Sequence, residues 1–287
     1  MPYREDDTID YETLAREVDH VIGAGADGIT LALASELLRL TKEERLELTK
    51  RLPEMVSGRG TVTISVGAET TYEAVSYAVA AEKAGADAVM AVPPFTVSAP
   101  AMEKFEYFRA IHDAIGIPLV VQDASGYMGG ESMPVDLMAS MSEELGPRIY
   151  YKPEGLPTGP DITALQEKLE GEAVIFEGSG GFLLIDSYRR GVSGTMSGSD
   201  LIHAIVEIWR ALERGDDDRA YEVYFPLAAI VFLQSPNLDT YLAIEKYLLV
   251  KQGVFKNTRV RRPSAFDLDS ATAAEIDRLY ARLEAVL

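Results

Sequence analysis

Cysteine is absent from this 287-residue chain. That excludes disulfides and thiolate chemistry and fits a cytoplasmic protein. Histidine is almost as scarce, with three in all. His20, His112 and His203 stand far apart in helical patterns, and no two have the spacing of metal ligands, so no metal site is expected. Positive charge is also short: 27 Lys and Arg stand against 46 Asp and Glu, for a net charge of −19. Nucleic acid and anionic membranes, which need basic patches, are thereby excluded as partners. The acidic balance suits a salt-adapted organism as well as an ordinary acidic cytoplasmic protein. Long apolar runs are missing too, so no membrane span is expected. The opening MPYREDDTIDYETL is polar and acidic, unlike a signal peptide.

What is present is enough apolar residue, 47% of the chain, for a sizeable core. Helical patterns such as DYETLAREVDHVIGAG alternate with short β-rich runs. The runs cover 27–33, 61–67, 86–94, 117–124, 148–154, 173–178 and 191–198. Strand, helix, strand at this spacing means parallel βαβ units, and the nearly continuous apolar character means strands covered on both faces. The pattern predicts an α/β fold, a (β/α)8 barrel, with its first strand apparently missing before Pro2-Tyr3. An open doubly wound sheet is the alternative. After residue 200 only helices follow. The expected division is a barrel over 1–215 and a C-terminal helical region over 216–287.

Five stretches are candidates for carrying chemistry. GAGADG (23–28) matches the letters of a dinucleotide fingerprint, but it ends a helix and enters a strand, so it reads as a helix cap and turn. RIYYKPEG (148–155) is an apolar, aromatic strand with Lys152 inside it. Alternation puts Tyr150, Lys152 and Glu154 on one face, which in a barrel is the interior. Desolvation favours the free amine of a lysine, the form that attacks carbonyls. A structural ion pair with Glu154 or Glu177 is the other reading, and the pattern alone does not separate them. VVQDASGYMGG (120–130) ends the preceding strand with Gln122 and Asp123. EGSGG (177–181) and GTMSG (194–198) end the two following strands with glycines whose amides could hold an anion. Polar tips at successive strand ends describe the mouth of a site.

These residues resemble the dihydrodipicolinate synthase / N-acetylneuraminate lyase family of Schiff-base lyases. The resemblance rests on PYREDDTIDYETL, GADGI with the loop ending Ser35-Glu36 and LTKEER, AGADAVMAVPPF, and the Lys152 strand. VQDA, YYKPE, FEG and GTMSG are most similar to the 2-keto-3-deoxy sugar acid dehydratase branch, typified by L-2-keto-3-deoxyarabonate dehydratase. The resemblance implies a (β/α)8 barrel, a homotetramer or homodimer, and an imine between Lys152 and a 2-keto acid with no separate cofactor. It places the substrate carboxylate at Ala34, Ser35 and Glu36. The sequence departs from the synthase pattern: the tyrosine expected before the lysine strand is Gln122, and the arginine that grips a second carboxylate is Tyr127. A lysine-biosynthesis synthase is therefore not expected.

The expected reaction is dehydration of a 2-keto-3-deoxy sugar acid. Lys152 is the nucleophile, and Gln122, Asp123, Tyr127 and Glu154 are candidates for acid–base help. Ser35, Gly178, Ser179, Gly180 and Thr195 are candidates for holding carboxylate and hydroxyls. Retro-aldol cleavage to pyruvate and an aldehyde, or a non-catalytic barrel that binds a keto acid, are the alternatives.

Overall fold

The computed structural model describes residues 1–128 and 132–287, without the side chains of Tyr127 and Met128. Among the described residues seven strands alternate with helices. They are β1 (Gly28–Leu31), β2 (Thr61–Ser65), β3 (Ala88–Ala91), β4 (Leu119–Asp123), β5 (Ile149–Pro153), β6 (Phe176–Glu177) and β7 (Gly194–Thr195). β1 to β5 pair in chain order, all parallel, and β6 pairs parallel with β7. A parallel bridge between Tyr151 and Ile175 joins β5 to β6. The order never reverses, as it must in a doubly wound sheet. The outermost strands, β1 and β7, line one common cavity together with Gln122 of β4 and Lys152 of β5. A row of strands that curls around its own interior is a barrel.

Between β1 and β7 no strand stands among the described residues. Residues 1–10 form one antiparallel bridge, Tyr3 to Ile9, before α1 (Tyr11–Gly23) begins. Asp10 caps α1 by accepting from Thr13 N–H. The helix ends at the GAGADG turn, where Gly25 takes φ +95. That left-handed value favours glycine and leaves no role for a nucleotide fingerprint.

β6 and β7 are two residues each, shorter than the runs that predict them, although single backbone bonds from Ser193 N–H to Ile175 O and from Met196 N–H to Glu177 O extend their pairing. On β5 alternation works as expected. Tyr151 points outward to the helix Val135–Leu145, where its hydroxyl bonds Met138 O at 2.5 Å and Ser142 Oγ at 2.6 Å. Burial pushes that phenol up to about 12. Tyr150 faces the interior against Phe176, with ring centroids 6.3 Å apart.

After β7 come helices, over Ile202–Glu213, Asp217–Gln234, Leu238–Lys251 and Ser270–Glu284. They share a second apolar core that runs from Leu184 to Leu283. Ion pairs tie this region to the barrel. Lys246, on the helix Leu238–Lys251, pairs fully buried with Glu36 in the loop after β1. Arg261 reaches Glu44 at the start of α2 (Lys42–Val56), where Thr41 and Glu44 form a reciprocal capping box. No helix among the described residues is long and apolar enough to cross a membrane.

Candidate active site

The strands deliver their polar residues to one end of the barrel. Register pairs Gln122 with Lys152 across β4 and β5. Both side chains lie in a cavity of about 1030 Å³ whose walls also include Glu154, Gly178, Ser179 and Thr195. Lys152 is 4% exposed. Its Nζ stands 3.1 Å from Glu154 Oε1, and Gln122 Nε2 donates to Glu154 Oε2 at 2.7 Å. Glu154 N–H donates to Asp123 O at 3.0 Å, which carries the β4–β5 ladder one step past the strand and holds Glu154 beside the lysine. Gly178 closes the other side. A Cβ there would overlap Glu154 Oε1 and sit 2.7 Å from Lys152 Cε.

The ion-pair and nucleophile readings of Lys152 therefore share one geometry, because the pair with Glu154 lies inside the cavity. Pairing with Glu177 is not seen. Glu177 accepts instead from Ser179 N–H at 2.5 Å, from the Ser179 hydroxyl, and from the Thr195 hydroxyl at 2.8 Å.

Other expected residues sort by position. Ala34 and Ser35 line the cavity, and Ser35 Oγ accepts from Ala32 N–H at 3.2 Å. Glu36 does not reach the cavity. It sits at φ +58 and turns to Lys246, so its carboxylate braces the loop from behind. Asp123 is likewise committed to backbone: Oδ1 accepts from Ser125 N–H at 2.9 Å and Oδ2 from Met133 N–H at 2.8 Å. It shapes the loop after β4 and is not part of the cavity wall. The side chain of Tyr127 lies outside the described residues. Gly180 takes φ +69 and Gly181 φ +96, which bends the loop after β6 over the cavity.

Sequence spacing did not bring His20 and His203 together, but folding does: their rings meet edge-on at 5.0 Å, between α1 and the helix Ile202–Glu213. Burial, then the His203 neighbour, lowers His20. Among the described residues no group of three or more His, Asp or Glu is placed to hold a metal ion. Also unexpected is a buried acid group beside the cavity. Glu245 accepts from the Tyr241 hydroxyl at 2.8 Å, and Asp200 accepts from Gln234 at 2.7 Å.

The model of the dihydrodipicolinate synthetase family matches residues 1–279. The chain belongs to that family. It is accordingly a Schiff-base lyase with the family's barrel. Among curated relatives, L-2-keto-3-deoxyarabonate dehydratase of Azospirillum brasilense is 31% identical, over 96% of this chain and 89% of its own. A 4-hydroxy-tetrahydrodipicolinate synthase of Chloroherpeton thalassium is 26% identical over 96% and 90%. Among solved structures, the synthase of Methylacidiphilum fumariolicum SolV superimposes with a TM-score of 0.88 at 23% identity, covering 100% of this chain and 94% of that one. A prophage protein of the family from E. coli K12, solved with pyruvate, gives 0.87 at 21% identity, covering 99% and 95%. The structural likenesses carry the barrel fold. They bear out the (β/α)8 expectation and remove the doubly wound alternative.

Proposed function

We propose that this protein dehydrates a 2-keto-3-deoxy sugar acid through an imine on Lys152. The observation that carries the reading is a buried lysine, facing a cavity, with a carboxylate 3.1 Å from its nitrogen. The relative from Azospirillum brasilense, whose name states that reaction, supports the substrate class.

The Lys152 amine attacks the C2 carbonyl, and loss of water gives a protonated imine. This electron sink acidifies C3. Glu154, fixed by Gln122, takes a C3 proton to leave an enamine and returns it to the C4 hydroxyl, which departs as water. Hydrolysis of the conjugated imine frees Lys152 and releases the dehydrated keto acid. Acid–base help of this kind contributes roughly 10²–10⁴-fold. Ser35 and the amides beside it hold the carboxylate. Ser179, Gly178, Gly180 and Thr195 face the rest of the chain. In this reading Asp123 acts only by shaping its loop, and the enzyme assembles as a homotetramer or homodimer.

Borohydride reduction in the presence of pyruvate or a 2-keto-3-deoxy acid should add ligand mass at Lys152, and Lys152→Ala should abolish it while remaining folded. Absence of an adduct in the folded wild type removes the imine. Pyruvate among the products of a 2-keto-3-deoxy acid removes the dehydratase in favour of retro-aldol cleavage.

A further inference from the structure

We infer that Glu177 is a positioning residue that fixes the hydrogen-bond polarity of the cavity wall formed by the chain after β6 and along β7, so that the site selects an uncharged polyol tail and rejects a second carboxylate. The inference deepens the reading above and rests on a keto acid being held at Lys152. Glu177 is 2% exposed and does not line the cavity. Its carboxylate lies behind two hydroxyls that do, Ser179 and Thr195.

A carboxylate only accepts hydrogen bonds. The Ser179 hydroxyl therefore spends its proton on Glu177 Oε1, and its oxygen accepts from Leu183 N–H at 2.7 Å. The Thr195 hydroxyl spends its proton on Glu177 Oε2 at 2.8 Å. Thr195 Oγ is also 3.1 Å from Ser197 Oγ, so with its own proton committed it must accept from Ser197. All three cavity hydroxyls are left with lone pairs and no free O–H. Ser179 N–H, in the loop that was expected to hold an anion, is likewise turned to Glu177 at 2.5 Å. The anion of that loop is the protein's own carboxylate.

Ser35, on the loop after β1, has the opposite polarity. Ser35 Oγ is already an acceptor for Ala32 N–H, so its proton is available to a substrate oxygen. A substrate that suits both sets of hydroxyls presents a carboxylate to Ser35 and a row of O–H donors to Ser179, Thr195 and Ser197. A distal carboxylate brings no proton to those lone pairs and meets the charge of Glu177. Each mismatched hydroxyl pairing weakens binding by about tenfold.

The test compares a five-carbon 2-keto-3-deoxy acid carrying tail hydroxyls with 2-ketoglutarate, which has the same length and a distal carboxylate. Half-saturation of borohydride trapping and calorimetric Kd are both measured; the second needs no imine. The wild type should prefer the polyol acid by at least about tenfold. In Glu177→Gln the amide nitrogen donates, which forces one hydroxyl to turn its proton into the cavity. The preference should then fall to within about threefold, while trapping of pyruvate, which has no tail, stays within about twofold of wild type. A merely structural role would move pyruvate trapping too. A wild type that binds both acids equally overturns the inference without any variant, as does a folded Glu177→Gln with an unchanged preference. Failure of pyruvate trapping in the wild type removes the Lys152 reading instead, and the calorimetric ratio still decides the role of Glu177.

Discussion

Substituting alanine for Gly178 should disable Lys152 without touching it. The glycine is needed for space, since it precedes the positive-φ pair at Gly180 and Gly181 and is not itself one of the left-handed glycines. An added Cβ would overlap Glu154 Oε1 and meet Lys152 Cε at 2.7 Å and Glu154 Cδ at 2.8 Å. Ordinary contact begins near roughly 3.5 Å, so the two side chains or the loop must give by roughly 1 Å. Both side chains are nearly fully buried, which leaves little room to retreat. Overpacking of this size costs about 1–3 kcal/mol of stability. Misplacement of a reacting group by roughly 1 Å costs about 10²-fold in rate. The expected result for Gly178→Ala is thus a folded protein, melting several degrees lower, with imine formation slowed about a hundredfold. Gly23→Ala is the control, because its Cβ would find nothing within 4 Å. The assay is single-turnover trapping with pyruvate and borohydride, beside a thermal melt. A folded Gly178→Ala that forms the adduct at the wild-type rate would refute the placement of the reactive centre between Lys152, Glu154 and this loop.

Two further outcomes follow from the same geometry. Glu154→Gln should leave borohydride trapping at Lys152 in place but slow dehydration by about 10²–10⁴-fold, because the imine needs the lysine whereas the proton transfer needs the carboxylate; equal losses in both assays would make Glu154 a support for the lysine only. The second concerns pH. Burial, then Asp200, pushes Glu245 up to about 8, and burial pushes Asp200 up to about 6, with Glu17 raising and the Met1 amine lowering Glu245. Folded protein therefore holds protons that the unfolded chain has released, so this contribution to stability is full at low pH and is lost as pH rises toward 8. Glu245→Gln should flatten that fall and gain at least ~2 kcal/mol at about pH 8 relative to wild type. Denaturant titrations at about pH 5 and about pH 8 measure it, and a wild type equally stable at both, with its other carboxylates unchanged, sinks the argument.

The barrel and its lysine were legible in the sequence because both are local signals. Strand runs separated by helical periodicity gave the parallel order of β1 to β7, and alternation on β5 put Lys152 and Glu154 inward with Tyr151 outward. The αL turn at Gly25 was legible for the same reason. What was not legible depends on where a side chain turns once it leaves the backbone. Asp123 ends an apolar strand just as Gln122 does, yet its oxygens close on Ser125 and Met133 N–H groups while Gln122 reaches into the cavity. Glu36 stands one residue beyond Ser35, but φ +58 turns it onto Lys246, 210 residues away. No local pattern announces a partner at that distance. Glu177 was hidden by its chemistry. As an acid beside a lysine strand it suggested an ion pair, and only the folded chain reveals that its partners are hydroxyls.

That distinction bears on how this cavity achieves specificity. Lys152 and Glu154 supply a centre that any 2-keto acid with a C3 proton can use. Discrimination must then come from groups that differ between the cavity's walls. Ser35 offers a proton and Ser179, Thr195 and Ser197 offer none, although all four are hydroxyls and all four look alike in the sequence. The difference is set one layer back, by a backbone N–H behind Ser35 and by the Glu177 carboxylate behind Ser179 and Thr195, which Thr195 passes on to Ser197. Exchanging Ser179 or Thr195 for another hydroxyl residue would therefore alter shape alone, whereas the single oxygen-to-nitrogen change in Glu177→Gln alters what this wall asks of its substrate.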